Sequence, residues 1–255
     1  MRTVAAMRTV AATRYVTPLR EGGSLPGLVE ADDDGLYVVK FRGAGQGPLA
    51  LVAEVIVGEL ARELGLLVPE LVTVEVAAAL GRAEPDPEIQ ELITASAGAN
   101  LGVDFLPGAL GYSPAAGCEP APGLAADVVW LDALVTNVDR TAENPNLLLW
   151  HDRIWLIDHG AALYLHHGGL TREQAKRPFP LIAAHVLLPC AGPIGLADER
   201  LAPRAERALL ETVVGRVPDE WLGEVARETY VEYLLARLQA PRGFVAEAER
   251  ARAGA

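Results

Sequence analysis

Asn137–Asp158 reads NVDRTAENPNLLLWHDRIWLID. Asp139 is followed five positions later by Asn144, and then two short apolar runs, 146–150 and 153–157, meet at His151-Asp152. Two such runs around a two-residue junction predict a β-hairpin. The second run ends in Asp158, which the hairpin returns to the start of the loop. Asp139, Asn144 and Asp158 then converge on one small volume. The set offers a carboxylate for a substrate hydroxyl and two oxygen ligands for Mg²⁺, the arrangement that phosphoryl transfer requires. The chain has four asparagines, at 100, 137, 144 and 146, and three of them fall in this stretch. Asn and Asp are also common turn formers, so the loop needs a nucleotide-gripping half elsewhere before it carries a function.

That half is sought upstream, where lysine is scarce. Of 22 cationic side chains only two are lysines, Lys40 and Lys176. Lys40 ends the run Leu36–Phe41, predicted as a strand that pairs with Leu28–Ala31 around the turn Asp32-Asp33-Asp34-Gly35. Leu36, Val38 and Lys40 share a face of that strand. Such a lysine is either an edge-strand gatekeeper or a cation with a chemical task, since Arg and Lys are not interchangeable. A helix is predicted from Pro48 to Leu64, opened by proline and stopped by Gly65. Glu54 shares a face with Ala50, Val57, Gly58 and Ala61. A carboxylate among such small apolar residues needs a cation, and Lys40 is the expected partner. Glu59, with Arg62 one turn on, reads as solvated. The glycines between strand and helix fit neither nucleotide-loop pattern. Gly43, Gly45 and Gly47 are followed by Pro48, and no G-K-[ST] is present.

The rest of the chain sets bounds. At 255 residues it is long enough for one large domain or two packed lobes. Asp+Glu 34 against Lys+Arg 22 gives a net charge of −12, which disfavours nucleic-acid backbone and anionic membrane as bulk partners. Two cysteines outside any C-x-x-C pattern fit a reducing cytoplasm. MRTVAA occurs at 1–6 and again at 7–12; a duplicated or misassigned start is expected, with Met1 and Met7 as the alternative first residues, and 1–6 are left out of the fold. Thr9–Thr17 and Pro69–Ala79 read as strands, Gly81–Glu88 as a turn, Glu91–Ser96 as a strand leading to a hinge, and Asn100–Gly108 as a connector. Leu124–Thr136 is a helix feeding the central loop. From Pro203 the chain reads as helical, in pieces around 203–215, 218–239 and 241–253, with Trp221, Val225, Tyr230, Tyr233 and Leu234 as core.

A glycine-rich loop, REGGSLPG at 20–27, strand Lys40, helix Glu54, the D-x4-N loop and strand-ending Asp158 follow in the order of protein-kinase parts. The sequence lacks H-R-D, D-F-G and A-P-E, having Asn137-Val138-Asp139 and Asp158-His159-Gly160 instead. With YVVKFRGAGQGPLALVAEVIVGELARELGL, NLGVDFLPGALGY and NVDRTAENPNLLLWHDRIWLIDHGAAL, it resembles the bacterial HipA-like serine/threonine kinase family, in particular its small stand-alone members. The resemblance covers most of 25–165. It implies an α+β, bilobal protein-kinase-like fold. Residues 7–104 would be a small β-rich N-lobe with one long helix, and 105–255 a mainly helical C-lobe. It implies ATP and Mg²⁺ as cofactors and a hydroxyl-bearing acceptor, a protein in the first instance, with a regulatory protein partner as a further expectation. Lys40 would contact the phosphates, oriented by Glu54. Asp139 would serve the acceptor hydroxyl. Asn144 and Asp158 would hold Mg²⁺, with Asn146 as a rival ligand. Gly22, Gly23 and Ser24 would cover the phosphates, and Phe105 or Leu106 would touch the base. A small-molecule kinase and a catalytically silent nucleotide-binding pseudokinase are the alternative readings.

Overall fold

Alternation of apolar and polar residues builds the first half of the chain into strands. Strands β1 (Thr9–Pro18), β2 (Gly27–Ala31) and β3 (Leu36–Lys40) are followed by helix α1 (Pro48–Leu64), strand β4 (Leu71–Val76), helix α2 (Pro87–Ala95) and strand β5 (Gly98–Asp104). The computed structural model describes residues 6–19, 25–45, 47–116 and 120–254. The five strands close into a barrel in the order β1-β2-β3-β5-β4. All neighbours are antiparallel except β1 and β4, which pair in parallel. Val29, Tyr37, Val39, Val72, Val74 and Ile93 fill its core.

Strand β3 lies between β2 and β5, with Lys40 opposite Leu101. Lys40 is therefore not on a sheet edge, which removes the gatekeeper reading. The run 91–96, expected as a strand, lies almost wholly within α2, and the hinge-side strand is β5. Asp86 caps α2 through a hydrogen bond from Glu88 N, and Pro87 suits its first turn. Those end signals outweigh the β-branched content of the segment. The connector expected at 100–108 is correspondingly strand up to Asp104.

Helix α1 begins at Pro48 and ends at Gly65, whose φ of 97° satisfies the left-handed cap. Residues 51–61 of α1 are all buried. A helix buried around its whole circumference over this stretch lies inside a core, with Glu54 and Glu59 as its two buried charges, and α1 packs against β4 and later helices. The second half contains strand β6 (Leu110–Gly111), helix α3 (Pro122–Val135), and the hairpin of β7 (Leu147–Trp150) and β8 (Arg153–Leu156). These strands form a small sheet in the order β6-β7-β8. His151 and Asp152 have φ of 48° and 57°, the positive pair that a two-residue hairpin turn needs. Helices α4 (Arg172–Ala175), α5 (Ile194–Leu201), α6 (Arg207–Gly215), α7 (Asp219–Leu222), α8 (Arg227–Leu238) and α9 (Gly243–Ala253) complete the fold. The helix expected over 218–239 is thus two pieces, parted at Gly223. Trp221, Tyr230, Tyr233 and Leu234 are buried as expected, while Val225 is only partly so. One apolar cluster joins α1, α3 and the later helices. Among the described residues no helix is long and apolar enough to cross a membrane.

Candidate active site

Three elements bring Lys40, Glu54 and Asp158 together. Alternation on β3 turns Lys40 toward α1, the helical period turns Glu54 toward β3, and the β7–β8 hairpin carries the chain back to Asp158. Lys40 Nζ donates to Glu54 Oε1 and, at 2.7 Å, to Asp158 Oδ1. Glu54 is 2% exposed. Its carboxylate also accepts from the backbone N–H of His159 at 2.9 Å and of Gly160 at 2.8 Å. One side chain of α1 therefore fixes both the lysine and the backbone that follows Asp158. A β-carbon at Gly160 would lie 3.1 Å from Glu54 Oε1, so this approach favours glycine.

Two carboxylates on one ammonium divide unequally. Burial pushes Lys40 down, but Glu54 and Asp158 outweigh it and raise the amine above its ordinary value. Burial pushes Glu54 up, reinforced by Asp158 and opposed by Lys40. Burial also acts on Asp158, yet Lys40 holds that carboxyl down to about 2. Asp158 is thus the firmly ionised member, and its side chain is 45% exposed.

Asp139 lies in the loop between α3 and β7. Its Oδ2 accepts from Asn144 Nδ2 at 2.8 Å and from Asn146 Nδ2 at 3.3 Å. Both amides therefore direct their nitrogens at Asp139, and their oxygens receive no hydrogen bond from the described residues. Asn146 and Asp158 adopt positive φ, 49° and 54°. Asn and Asp tolerate this conformation best after glycine. Lys40, Asp139, Asn144, Asn146 and Asp158 line one cleft of about 810 Å³, within the range of small-molecule sites. Val38, Val103, Phe105 and Leu106 line the same cleft, and Leu106 is buried. Gly22, Gly23 and Ser24 lie outside the described residues.

Behind the cleft is a buried polar network that the sequence reading did not single out. Asp132 of α3 is fully buried and accepts from Arg140 Nε at 2.5 Å, Asn137 Nδ2 at 2.9 Å and His185 Nε2 at 3.0 Å. Arg140 also donates to the carbonyls of Asn146 and, at 3.3 Å, Ile157, and to His159 Nδ1 at 3.2 Å. It thereby ties the entry of β7 to the exit of β8. Burial pushes the Asp132 carboxyl up, but Arg140 and His185 outweigh it and hold it well below the usual carboxylate range. Burial, then Arg140, push His159 down to about 3, so its imidazole is neutral. Accepting at Nδ1 places the proton on Nε2. The sequence signal for this network was an acid, Asp132, within the apolar stretch 128–135; the other acid of the helix, Asp127, pairs with Arg200. His185 carries no local signal, because its partner lies 53 residues away.

Glu59 was expected in solvent, yet it is 6% exposed. Arg216 and Arg62 both meet it. The local i,i+3 pair does exist, but α6 covers this face of α1, which single-helix reasoning does not foresee.

No curated protein matches the chain. Among solved structures, a Helicobacter pylori proinflammatory kinase, CtkA, superposes with a TM-score of 0.57 at 13% identity, covering 96% of this chain and 99% of that one. A Golgi casein kinase with Mn/ADP bound gives a TM-score of 0.50 at 14% identity, covering 97% and 73%. At such identities the likeness concerns the fold, which is α+β and kinase-like. The family described as HipA-like kinase matches residues 13–240, a span that runs from the first barrel strand past α8. The chain belongs to the HipA-like kinase family and is a phosphotransferase.

Proposed function

We propose that this protein transfers the γ-phosphoryl group of ATP to a hydroxyl group, with Mg²⁺, and that the acceptor is a serine or threonine of a protein. In this reading residues 7–104 form a nucleotide-gripping lobe and 105–255 a catalytic lobe. The observation that carries it is the Lys40–Asp158 contact of 2.7 Å on the wall of the cleft that Asp139 also lines. Lys40 neutralises phosphate charge, and Glu54 holds it in place. Phe105 and Leu106 offer an apolar surface to the base. Gly22, Gly23 and Ser24 supply backbone N–H groups to the phosphates.

The donor set suits a hard cation. Asp158 offers a carboxylate, and Asn144 and Asn146 offer amide oxygens freed by the orientation of their nitrogens. Among the described residues no three His, Cys, Asp or Glu side chains cluster around a metal position. Mg²⁺ is commonly bound through one or two carboxylates and completes its shell with phosphates and water. When bound, the ion neutralises phosphate charge as it develops.

Asp139 positions the acceptor hydroxyl and takes its proton. Its two amide contacts fix the carboxylate's orientation and leave Oδ1 for the acceptor. Since ATP and a reduced thiol pool go together, the cytoplasm is the compartment this reading implies. The test is phosphoryl transfer from γ-labelled ATP by the parent and by Asp139→Ala. The variant should lose about 10²–10⁴-fold while binding ATP with little change. Full activity in Asp139→Ala would remove Asp139 from the mechanism. Mg·ATP binding by the parent without any turnover would identify a nucleotide-binding module instead.

A further inference from the structure

The Lys–Glu pair of a kinase works only when the helix bearing the glutamate is in place, and helix position is a common point of control. In this chain the far end of that helix is held by the C-terminal segment. Arg216, just after α6, forks onto α1. Its Nη1 meets Glu59 and its Nη2 donates to Glu63 at 2.9 Å. Arg204 donates at 2.7 Å to the carbonyls of both Leu64 and Glu63. These are carbonyls of the last turn of α1, where a cation also complements the helix dipole. Helix α7 reaches the barrel. Trp221 Nε1 donates to Ala99 O at 3.2 Å, and Arg42 pairs with Glu220 at 2.8 Å.

Glu54 precedes Glu59 by five residues, a rise of about 7.5 Å along a helix. The guanidinium of Arg216 and the ammonium of Lys40 thus hold two stations of one rigid rod. We propose that residues 204–221 form a built-in clamp that keeps α1 in its paired position, making Arg216 a positioning residue for the Lys40–Glu54–Asp158 site. The clamp acts through packing and guanidinium contacts present in the chain itself, so assembly of the site needs no added phosphate. This inference rests on the roles of Lys40 and Glu54 proposed above.

The local reporter is the pair of amides that Glu54 accepts, His159 and Gly160. If Arg216 sets α1, its loss must loosen them although they lie on another element. Amide hydrogen exchange is followed on peptides spanning 156–163 and on α9 as a distant control, in the parent and in Arg216→Ala. The expected result is about tenfold faster exchange at 156–163 with α9 unchanged, and an intermediate effect for Arg216→Lys, which keeps the charge but not the fork. Phosphoryl transfer from labelled Mg·ATP should fall about tenfold, inside the ~10²-fold that a misplacement of ~1 Å can cost. Unchanged exchange at 156–163 would overturn the clamp, as would uniform acceleration that includes α9. Glu54→Gln separates this from the reading beneath it. Parental transfer by Glu54→Gln would remove the role of Glu54 whatever exchange reports. A crippled Glu54→Gln beside an unaffected Arg216→Ala would remove the clamp alone.

Discussion

Replacing Arg140 by methionine tests whether the buried network supports the site. The side chain of Arg140 is buried together with Asp132, and the two are joined at 2.5 Å. Arg140→Met leaves the Asp132 carboxylate facing only the Asn137 amide and a histidine that burial pushes toward its neutral form. Breaking a buried pair from one side costs about 3–5 kcal/mol. The Ile157 carbonyl also loses its donor, and an unsatisfied group of this kind adds about 1–3 kcal/mol, whereas the Asn146 carbonyl keeps the Ile157 N–H at 3.1 Å. These terms overlap, so a total loss of about 4–6 kcal/mol is expected, near 2–4 °C in Tm for each kcal/mol at this chain length. Urea unfolding followed by tryptophan fluorescence reads it, because Trp130 and Trp221 are buried reporters. Converting both partners, Arg140→Met with Asp132→Leu, removes the stranded charge. The double variant should therefore be more stable than Arg140→Met alone, by more than about 1 kcal/mol, the signature of coupled residues. A loss below about 1 kcal/mol for the single variant, or strict additivity in the double, would refute the reasoning.

Two further outcomes follow from the site and its buried histidines. Lys40→Arg keeps the charge but not the compact ammonium, and transfer should fall about 10²-fold, the scale of losing one preorganised stabilising group; a rate within threefold of the parent would contradict this. Burial, aided by His167, holds His166 down to about 4, against an unfolded value near 6.5. Between those values only the unfolded chain binds the proton, so the folded state loses stability as pH falls through that window, by at most about 1.4 kcal/mol per pH unit. His166→Phe should remove that share of the slope in urea midpoints measured from pH 7 to 5, and an unaltered slope would count against it.

The order of parts was legible because each rests on a local signal. Scarcity marked Lys40, a carboxylate among small apolar residues marked Glu54, and the asparagine cluster marked the loop. Hairpin chemistry at His151-Asp152 was enough to return Asp158 toward Lys40. Residues whose meaning is set by distant partners were not legible. Glu59 looked like a solvated helix residue because its cover, Arg216, lies 157 positions on. The Asp132–Arg140–His185 network spans three separate segments, and its helix, α3, reads as a mostly apolar rod in which nothing local distinguishes Asp132 from the other acid, Asp127. The segment 91–96 was misread because cap chemistry at Asp86-Pro87 outweighs propensity over so short a run. The break near Gly223 likewise parts two helices whose apolar pattern reads as one.

The most direct test of the phosphoryl-transfer site is calorimetric titration of the ATP analogue adenylyl imidodiphosphate into the parent and Asp158→Ala, each with Mg²⁺ and with a chelator. In the parent, Mg²⁺ should tighten binding by about tenfold or more, worth about 1.4 kcal/mol, and Asp158→Ala should lose that enhancement while Asp139→Ala keeps it. An Asp158→Ala variant that binds the analogue with the parent's full Mg²⁺ enhancement would contradict the account.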